Sequence, residues 1–178
     1  MELRTPRLVL RSWRDADLLP FAALNADSEV RHWFPGVLTR QESDGEAARL
    51  RHHDEQHGFT FWAVEVPGGA AFIGSIGLLV VRSAMPFAPA VEIGWRLARA
   101  HWGHGYATEA AAATLTHAFE ALGLPEIIAF TVPGNSASRR VMEKIGMRHD
   151  PADDFAHPGL PDEHPMRRHV LYRIAQPA

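Results

Sequence analysis

The chain has 178 residues, 46% of them hydrophobic and 22% charged, with a net charge of −3, a pI near 6.4 and no cysteine. That length suits one domain with a real core and is short for two. The missing thiols exclude disulfides, a thiolate nucleophile and Cys-based zinc sites, and mild acidity without a long basic run argues against a nucleic-acid partner.

Residues 7–13 alternate apolar and polar side chains as a first strand, and Asp15 and Asp17 supply the acidic start of a helix through Phe21 and Leu24. A short second helix is expected over residues 28–33, ended by Phe34, Pro35 and Gly36. Thr39 and Glu42 have capping-box spacing, which predicts a third helix from Arg40 to about His53. Residues 59–66 and 72–81 read as the two strands of a hairpin around Pro67, Gly68 and Gly69. Gly74 and Gly77 interrupt the second of them, as glycines do at a bulge or a close approach. A loop over residues 83–89 then leads to the stretch that carries the chemistry.

In residues 90–97 Val91, Ile93, Trp95 and Leu97 alternate as a strand, while Ala107, Ala110, Ala111, Leu115, Ala118, Phe119 and Leu122 recur at helical spacing. The intervening turn, Trp102 to Thr108, therefore sits at a helix N-terminus. Gly103 and Gly105 permit backbone angles other residues resist. They leave the amides of Gly103, His104, Gly105, Tyr106, Ala107 and Thr108 able to point at an anion, aided by the helix dipole. A diphosphate is the natural guest, at roughly 1.5–3 kcal/mol for each amide-to-phosphate bond. A Walker loop is excluded because the only lysine is Lys144, and the dinucleotide fingerprint lacks its third glycine, replaced by Thr108.

Downstream, residues 126–132 form a strand, Asn135 caps a helix that Gly146 ends, residues 147–165 read as strand remnants with a long loop, and residues 168–174 close the chain as a strand. The mixed order implies an α/β fold with helices on both faces of a mostly antiparallel sheet, in a single domain spanning residues 1–178. Met1 to Pro6 lacks the apolar centre of an export signal, and no apolar run approaches the ~20 residues of a membrane span, so the expectation is a soluble, cytoplasmic protein without a membrane partner.

Two segments together, Trp102-Gly103-His104-Gly105-Tyr106-Ala107-Thr108-Glu109-Ala110 and Asn135-Ser136-Ala137-Ser138, resemble the GNAT superfamily of acyl-CoA-dependent N-acetyltransferases. The resemblance is strongest to its branch of RimJ/RimL-type ribosomal-protein N-terminal acetylases. The opening Thr5 to Arg11 matches a frequent phrase of the same branch, and so does the stretch from His157 to His169. Trp102 stands where the wider superfamily usually has Gln or Arg.

This resemblance implies a V-shaped splay between the fourth and fifth strands, residues 90–97 and 126–132. Acetyl-CoA would enter the V with its pantetheine arm beside Trp95 and Leu97 and its diphosphate on the turn at Gly103 to Thr108. It further implies an acyl transfer straight to a primary amine, with Glu92 as general base, Ser138 as proton donor to the leaving thiolate and Asn135 as a cofactor contact. On residue chemistry alone Glu92 reads as an ordinary strand residue hydrogen-bonded across the sheet, and Asn135 as a helix cap, a role compatible with cofactor contact. Trp33, Phe34, Met85 and Phe87 lie on loops that relatives use around the acceptor, though as apolar groups they also suit buried edges or a dimer contact.

His53 and His57 have metal-ligand spacing but read as a solvated helix end. The set His149, His157, His164 and His169 with Asp153 and Asp154 fits an acceptor loop better than a metal site, so no metal is expected. The acceptor is a small-molecule or peptide amine, a homodimer is possible by analogy, and a non-catalytic acyl-CoA sensor is the alternative from another class.

Overall fold

A computed structural model describes residues 2–81 and 84–177. Its backbone is one nine-stranded sheet in the order β1-β2-β3-β4-β5-β6-β9-β7, with β8 paired to β9 off that path. The strands are β1 (Glu2–Arg4), β2 (Val9–Arg11), β3 (Phe61–Glu65), β4 (Gly74–Val80), β5 (Val91–Leu97), β6 (Glu126–Thr131), β7 (Arg148–His149), β8 (Phe155–Ala156) and β9 (Arg168–Ala175). The helices are α1 (Leu18–Ala26), α2 (Arg40–His57), α3 (Tyr106–Glu120) and α4 (Ser136–Lys144). Every pairing is antiparallel except that of β5 with β6.

Alternation along the strands divides the core into two faces. Trp62, Val64, Ile76, Leu78, Ile93, Leu97, Ile127 and Ala129 point to one face, which α3 covers with Ala110, Ala111, Leu115, Ala118 and Phe119 and α4 with Met142. On the other face α1 and α2 bring Phe21, Leu24, Ala47 and Leu50 against Phe61 and Leu79. Over the β6–β9 half of that face Ile128, Leu171, Val81 and Phe155 make a third cluster, joined by Met85 and Phe87. Each fully buried Leu or Ile in these layers contributes ~1.5–3 kcal/mol.

Several expectations need correction. The first strand is shorter than residues 7–13 and belongs to a hairpin. Glu2–Arg4 pairs with Val9–Arg11, and Thr5 closes the turn by accepting the Leu8 amide on Oγ1 at 2.9 Å. The strands at residues 90–97 and 126–132 are thus β5 and β6. Residues 28–33 are turns, because Asp27 Oδ1 takes the Glu29 amide at 2.8 Å and leaves only isolated turn bonds beyond it, such as Phe34 N–H to Arg31 O at 2.9 Å. The third helix is capped as expected by Thr39 and Glu42 but continues to His57, where Gly58 in the left-handed conformation stops it. The loop expected at residues 83–89 starts at Ser83, which lies outside the described residues.

Gly77 is a close approach. A Cβ there would stand 1.9 Å from the Thr60 carbonyl oxygen, so only glycine lets β4 lie against the start of β3. Among the described residues no helix is long and apolar enough to cross a membrane.

Candidate functional site

β5 and β6 share a single register pair, Glu92 with Ile128, whereas β5 pairs with β4 from Val91 to Leu97 and β6 with β9 from Glu126 to Thr131. The parallel ladder therefore ends almost where it begins. Toward their C-terminal ends the two strands share no further register pair, which leaves the edge of β5 that faces β6 without a strand partner.

The turn into α3 lies at the same end of β5. Gly103 and Gly105 have φ of 76° and 79°, and Gly105 is the N-cap residue, with no side chain capping the helix. The first amide of the turn region with a protein acceptor is Glu109, which donates to Gly105 O at 3.0 Å. Among the described residues the amides from Gly103 to Thr108 donate to no protein atom. Gly103, His104 and Gly105 are exposed, and a Cβ on Gly103 would meet nothing within 4 Å, so open space lies before the turn. A run of unspent donors at the positive end of a helix is suited to an anion with several oxygens.

Side chains brace this turn from outside. His104 donates Nδ1–H to Trp102 O at 2.8 Å and stacks on Tyr106 with centroids 5.4 Å apart. Trp102 donates its indole N–H to Leu97 O at 2.8 Å, and the Arg99 guanidinium lies 4.9 Å over its ring. Of the strand residues expected beside the cofactor arm, Leu97 buries its side chain in the core and has its carbonyl occupied by Trp102, while Trp95 packs part-buried on the α3 side.

Asn135 and Ser138 come together at the head of α4. Asn135 Oδ1 accepts the Ser138 amide at 3.2 Å, and its Nδ2 donates to Thr131 Oγ1 at 3.0 Å, tying the cap to the end of β6. The cap reading of Asn135 thus holds in the structure. The Ser138 hydroxyl has no protein partner among the described residues. Tyr106 lies under Arg7, and the buried Tyr172 hydroxyl donates to Glu143 and accepts from Arg139, each at 3.1 Å.

Glu92 projects from β5 on the face opposite α3, together with Gly94 and Arg96. Its cross-strand neighbours are Leu79 and Ile128. On that face Arg96 donates to Asn25 Oδ1 at 2.6 Å and forms an ion pair with Glu46 at 3.1 Å, tying β5 to α1 and α2. The Phe34 ring lies under two guanidinium groups, those of Arg31 at 4.6 Å and Arg96 at 4.7 Å. Burial, and then the neighbouring Arg96, push the Arg31 guanidinium below its usual range. Trp33 reaches past the splay, since a Cβ on Gly134, in the connection after β6, would stand 3.0 Å from its ring. The loop after α1 therefore roofs the Glu92 side of the opening. Trp33 and Phe34, which the family resemblance sets on an acceptor loop or a buried edge, lie on this side together with Asn25, Glu46 and Arg96, which no local motif marks and which meet only through folding. Phe87 packs 4.9 Å from Phe155 and 5.7 Å from Phe130 as a part-buried edge.

The histidines meet in pairs rather than in one cluster. His53 donates Nδ1–H to Phe59 O at 2.8 Å and accepts the Val80 amide on Nε2 at 3.1 Å, which uses both ring nitrogens. His149 pairs with Asp154 at 2.7 Å, and His157 lies 5.1 Å from His169. Among the described residues no group of three or more His, Cys, Asp or Glu could hold a metal ion.

Residues 7–148 match the family described as Acetyltransferase (GNAT) domain. YkkB of Bacillus subtilis (strain 168) is 33% identical over 149 residues, 83% of this chain and 86% of that protein. The N-acetyltransferase YoaA of the same strain is 30% identical over 151 residues, 82% of each. Among solved structures, an acetyltransferase (GNAT family) from Bacillus anthracis superposes with a TM-score of 0.82 at 28% identity over 99% of both chains. Mycobacterium smegmatis RimJ in complex with CoA-disulfide superposes at 0.73 with 25% identity, over 98% of this chain and 86% of that one. The parted strands, the open turn and these matches lead to one conclusion: the chain belongs to the GNAT family of acetyltransferases and is an acyltransferase.

Proposed function

We propose that the protein transfers an acetyl group from acetyl-CoA to a primary amine, in the manner of the RimJ/RimL branch, by direct attack within a ternary complex. The observation that carries this reading is the set of main-chain amides from Gly103 to Thr108, without protein acceptors, at the head of a helix beside two parting strands. The residues present fit the cofactor. The amides match a diphosphate, the open space at Gly103 leaves it room, and the unpaired edge of β5 can pair with the two amides of a pantetheine arm. The RimJ neighbour, solved in complex with CoA-disulfide, supports coenzyme A as the carrier of the acyl group. When bound, the cofactor supplies an activated thioester; binding, orientation and proton movement fall to this chain.

The two sides of the splay divide the work. Ser138 stands on α4, which packs with α3 on the face opposite Glu92, and among the described residues its hydroxyl has no protein partner, so in this reading it gives a hydrogen bond to charge developing on a leaving sulfur. Glu92 stands on the opposite face, under the roof formed by the loop after α1, where an amine would enter. There it takes the proton the amine must lose, directly or through water.

Release of free thiol from acetyl-CoA, followed across a panel of peptides with free N-termini, amino acids, polyamines and amino sugars, tests the reaction and sorts its acceptors. The expected result is turnover with peptide N-termini. Turnover with small amines alone would replace the branch assignment, and cofactor binding without turnover on any amine would indicate a sensor. Glu92→Gln and Ser138→Ala should each lower kcat by about 10²-fold or more. Unchanged kcat across pH in both would remove these two roles.

A further inference from the structure

The first turn of α3 carries a single acidic residue, Glu109, close to the amides that would receive a diphosphate. An unpaired carboxylate there opposes the approach of an anion and screens it from the positive end of the helix. Burial raises the Glu109 pKa, but hydrogen bonds from Thr5 and Arg7 outweigh burial and hold it below the ordinary carboxylate range, so the group is charged at neutral pH.

The partner of this carboxylate comes from the β1–β2 hairpin, 102 residues earlier. Arg7 Nε donates to Glu109 Oε2 at 2.6 Å, and Nη2 lies 2.6 Å from the same oxygen. The Arg7 amide donates to Oε1 at 2.9 Å, and Thr5 Oγ1 donates to Oε1 at 2.6 Å. The third guanidinium nitrogen, Nη1, turns away from the carboxylate and donates to the carbonyl of His104, inside the turn, at 2.9 Å. The guanidinium lies 4.9 Å over the Tyr106 ring, and Nη2 is 3.5 Å from where a Cβ on Gly105 would stand.

Two consequences follow. The Glu109 charge is matched by a fixed cation held within the same turn. In addition, the C=O and the following N–H of a trans peptide point in opposite directions, so holding His104 O toward Arg7 sends the Gly105 N–H away from it, into the open space. We propose that Arg7 is a positioning residue for the cofactor's diphosphate: it cancels the Glu109 carboxylate and fixes the His104–Gly105 peptide so that the Gly105 amide faces the anion. The inference rests on the reading of the turn as the diphosphate site.

The test is calorimetric titration of CoA into the full chain and its Arg7→Gln, Glu109→Gln and double variants, at low and moderate salt, with urea unfolding of each apoprotein to confirm the fold. Arg7→Gln is expected to raise Kd about ten-fold, equivalent to ~1.4 kcal/mol. Glu109→Gln, which removes the carboxylate and leaves Arg7 on His104 O, should bind CoA as tightly as wild type or more tightly. The double variant should bind more tightly than Arg7→Gln alone. Equal weakening in both single variants would mean that the pair is only a staple between hairpin and helix, and an Arg7→Gln Kd within two-fold of wild type would remove the proposal. If the wild-type chain fails to bind CoA, the reading of the turn itself fails, which is a separate result. Should Arg7→Gln not fold, Arg7→Lys keeps the charge without the fork, and its Kd should lie between those of wild type and the ten-fold loss.

Discussion

Replacing Gly103 by alanine separates folding from ligand binding at the turn. Gly103 has φ of 76°, and a Cβ there meets nothing within 4 Å, so the apoprotein suffers only the cost of a left-handed alanine and no collision. That cost is about 1–2 kcal/mol, which for a chain of this size lowers Tm by about 2–8 °C. The methyl group, however, projects into the open space before the amides, where the proposed function puts the diphosphate. Wild-type protein at a CoA concentration of 100 Kd gains about 2.7 kcal/mol from ligand binding; a variant whose Kd has risen ten-fold gains about 1.4 kcal/mol at the same concentration. Thermal unfolding with and without CoA should therefore show a lower apo Tm in Gly103→Ala and a ligand-induced shift cut to about half or less. A variant with the wild-type shift would refute the placement of the diphosphate, whatever its apo Tm.

Arg11 is 4% exposed, forms bidentate bonds to Asp17 at 2.8 and 2.9 Å and bonds Glu65 at 2.8 Å, so Arg11→Met leaves Asp17 buried without a counter-charge. Urea unfolding should show a loss of about 3–5 kcal/mol, with part of it recovered when Asp17→Asn is added. Gly77→Ala pushes a methyl group to 1.9 Å from the Thr60 carbonyl oxygen and should reach the upper end of the ~1–3 kcal/mol cost of overpacking, seen as a fall in Tm. For pH, burial first of all holds the His53 imidazole below its usual range, with His57 adding repulsion and the Phe59 carbonyl and Asp54 opposing. A depressed histidine favours folding while neutral, so its contribution is complete above the ordinary value near 6.5 and is lost as pH falls through the folded value. His117 and His169 are depressed by burial in the same direction. Stability measured from pH 7.5 downward should decline, less steeply in His53→Gln, and a parallel decline in that variant would exclude His53 as a contributor.

Where a local rule decided the structure, the sequence was legible. Thr39 and Glu42 make the capping box their spacing suggests, Gly103 and Gly105 adopt the backbone the turn needs, and Asn135 caps α4. The apolar periods of β5 and α3 bury the residues they picked out, Ile93 and Leu97 against Ala110, Leu115 and Phe119. Misreadings arose where a side chain competed with the backbone or a partner came from far away. Residues 28–33 have helical composition, but the Asp27 carboxylate captures the Glu29 amide, and Arg31 then bonds the Gly36 carbonyl to fold the segment into turns. β1 has no local signature, because Glu2 to Arg4 is a strand only by virtue of pairing with Val9 to Arg11.

The glycine turn at Gly103 to Gly105 and the helix it opens were determined by the chain's own order, because glycine conformations, caps and side-chain periods act over a few residues. The parting of β5 from β6, implied by the family resemblance but by no local spacing, the roof made by Trp33 over Gly134 and the clasp of Arg7 on Glu109 were decided in the tertiary structure. Each joins groups many residues apart, and local spacing cannot encode which distant partner will satisfy a buried charge, a loose strand edge or an exposed ring once the layers have packed.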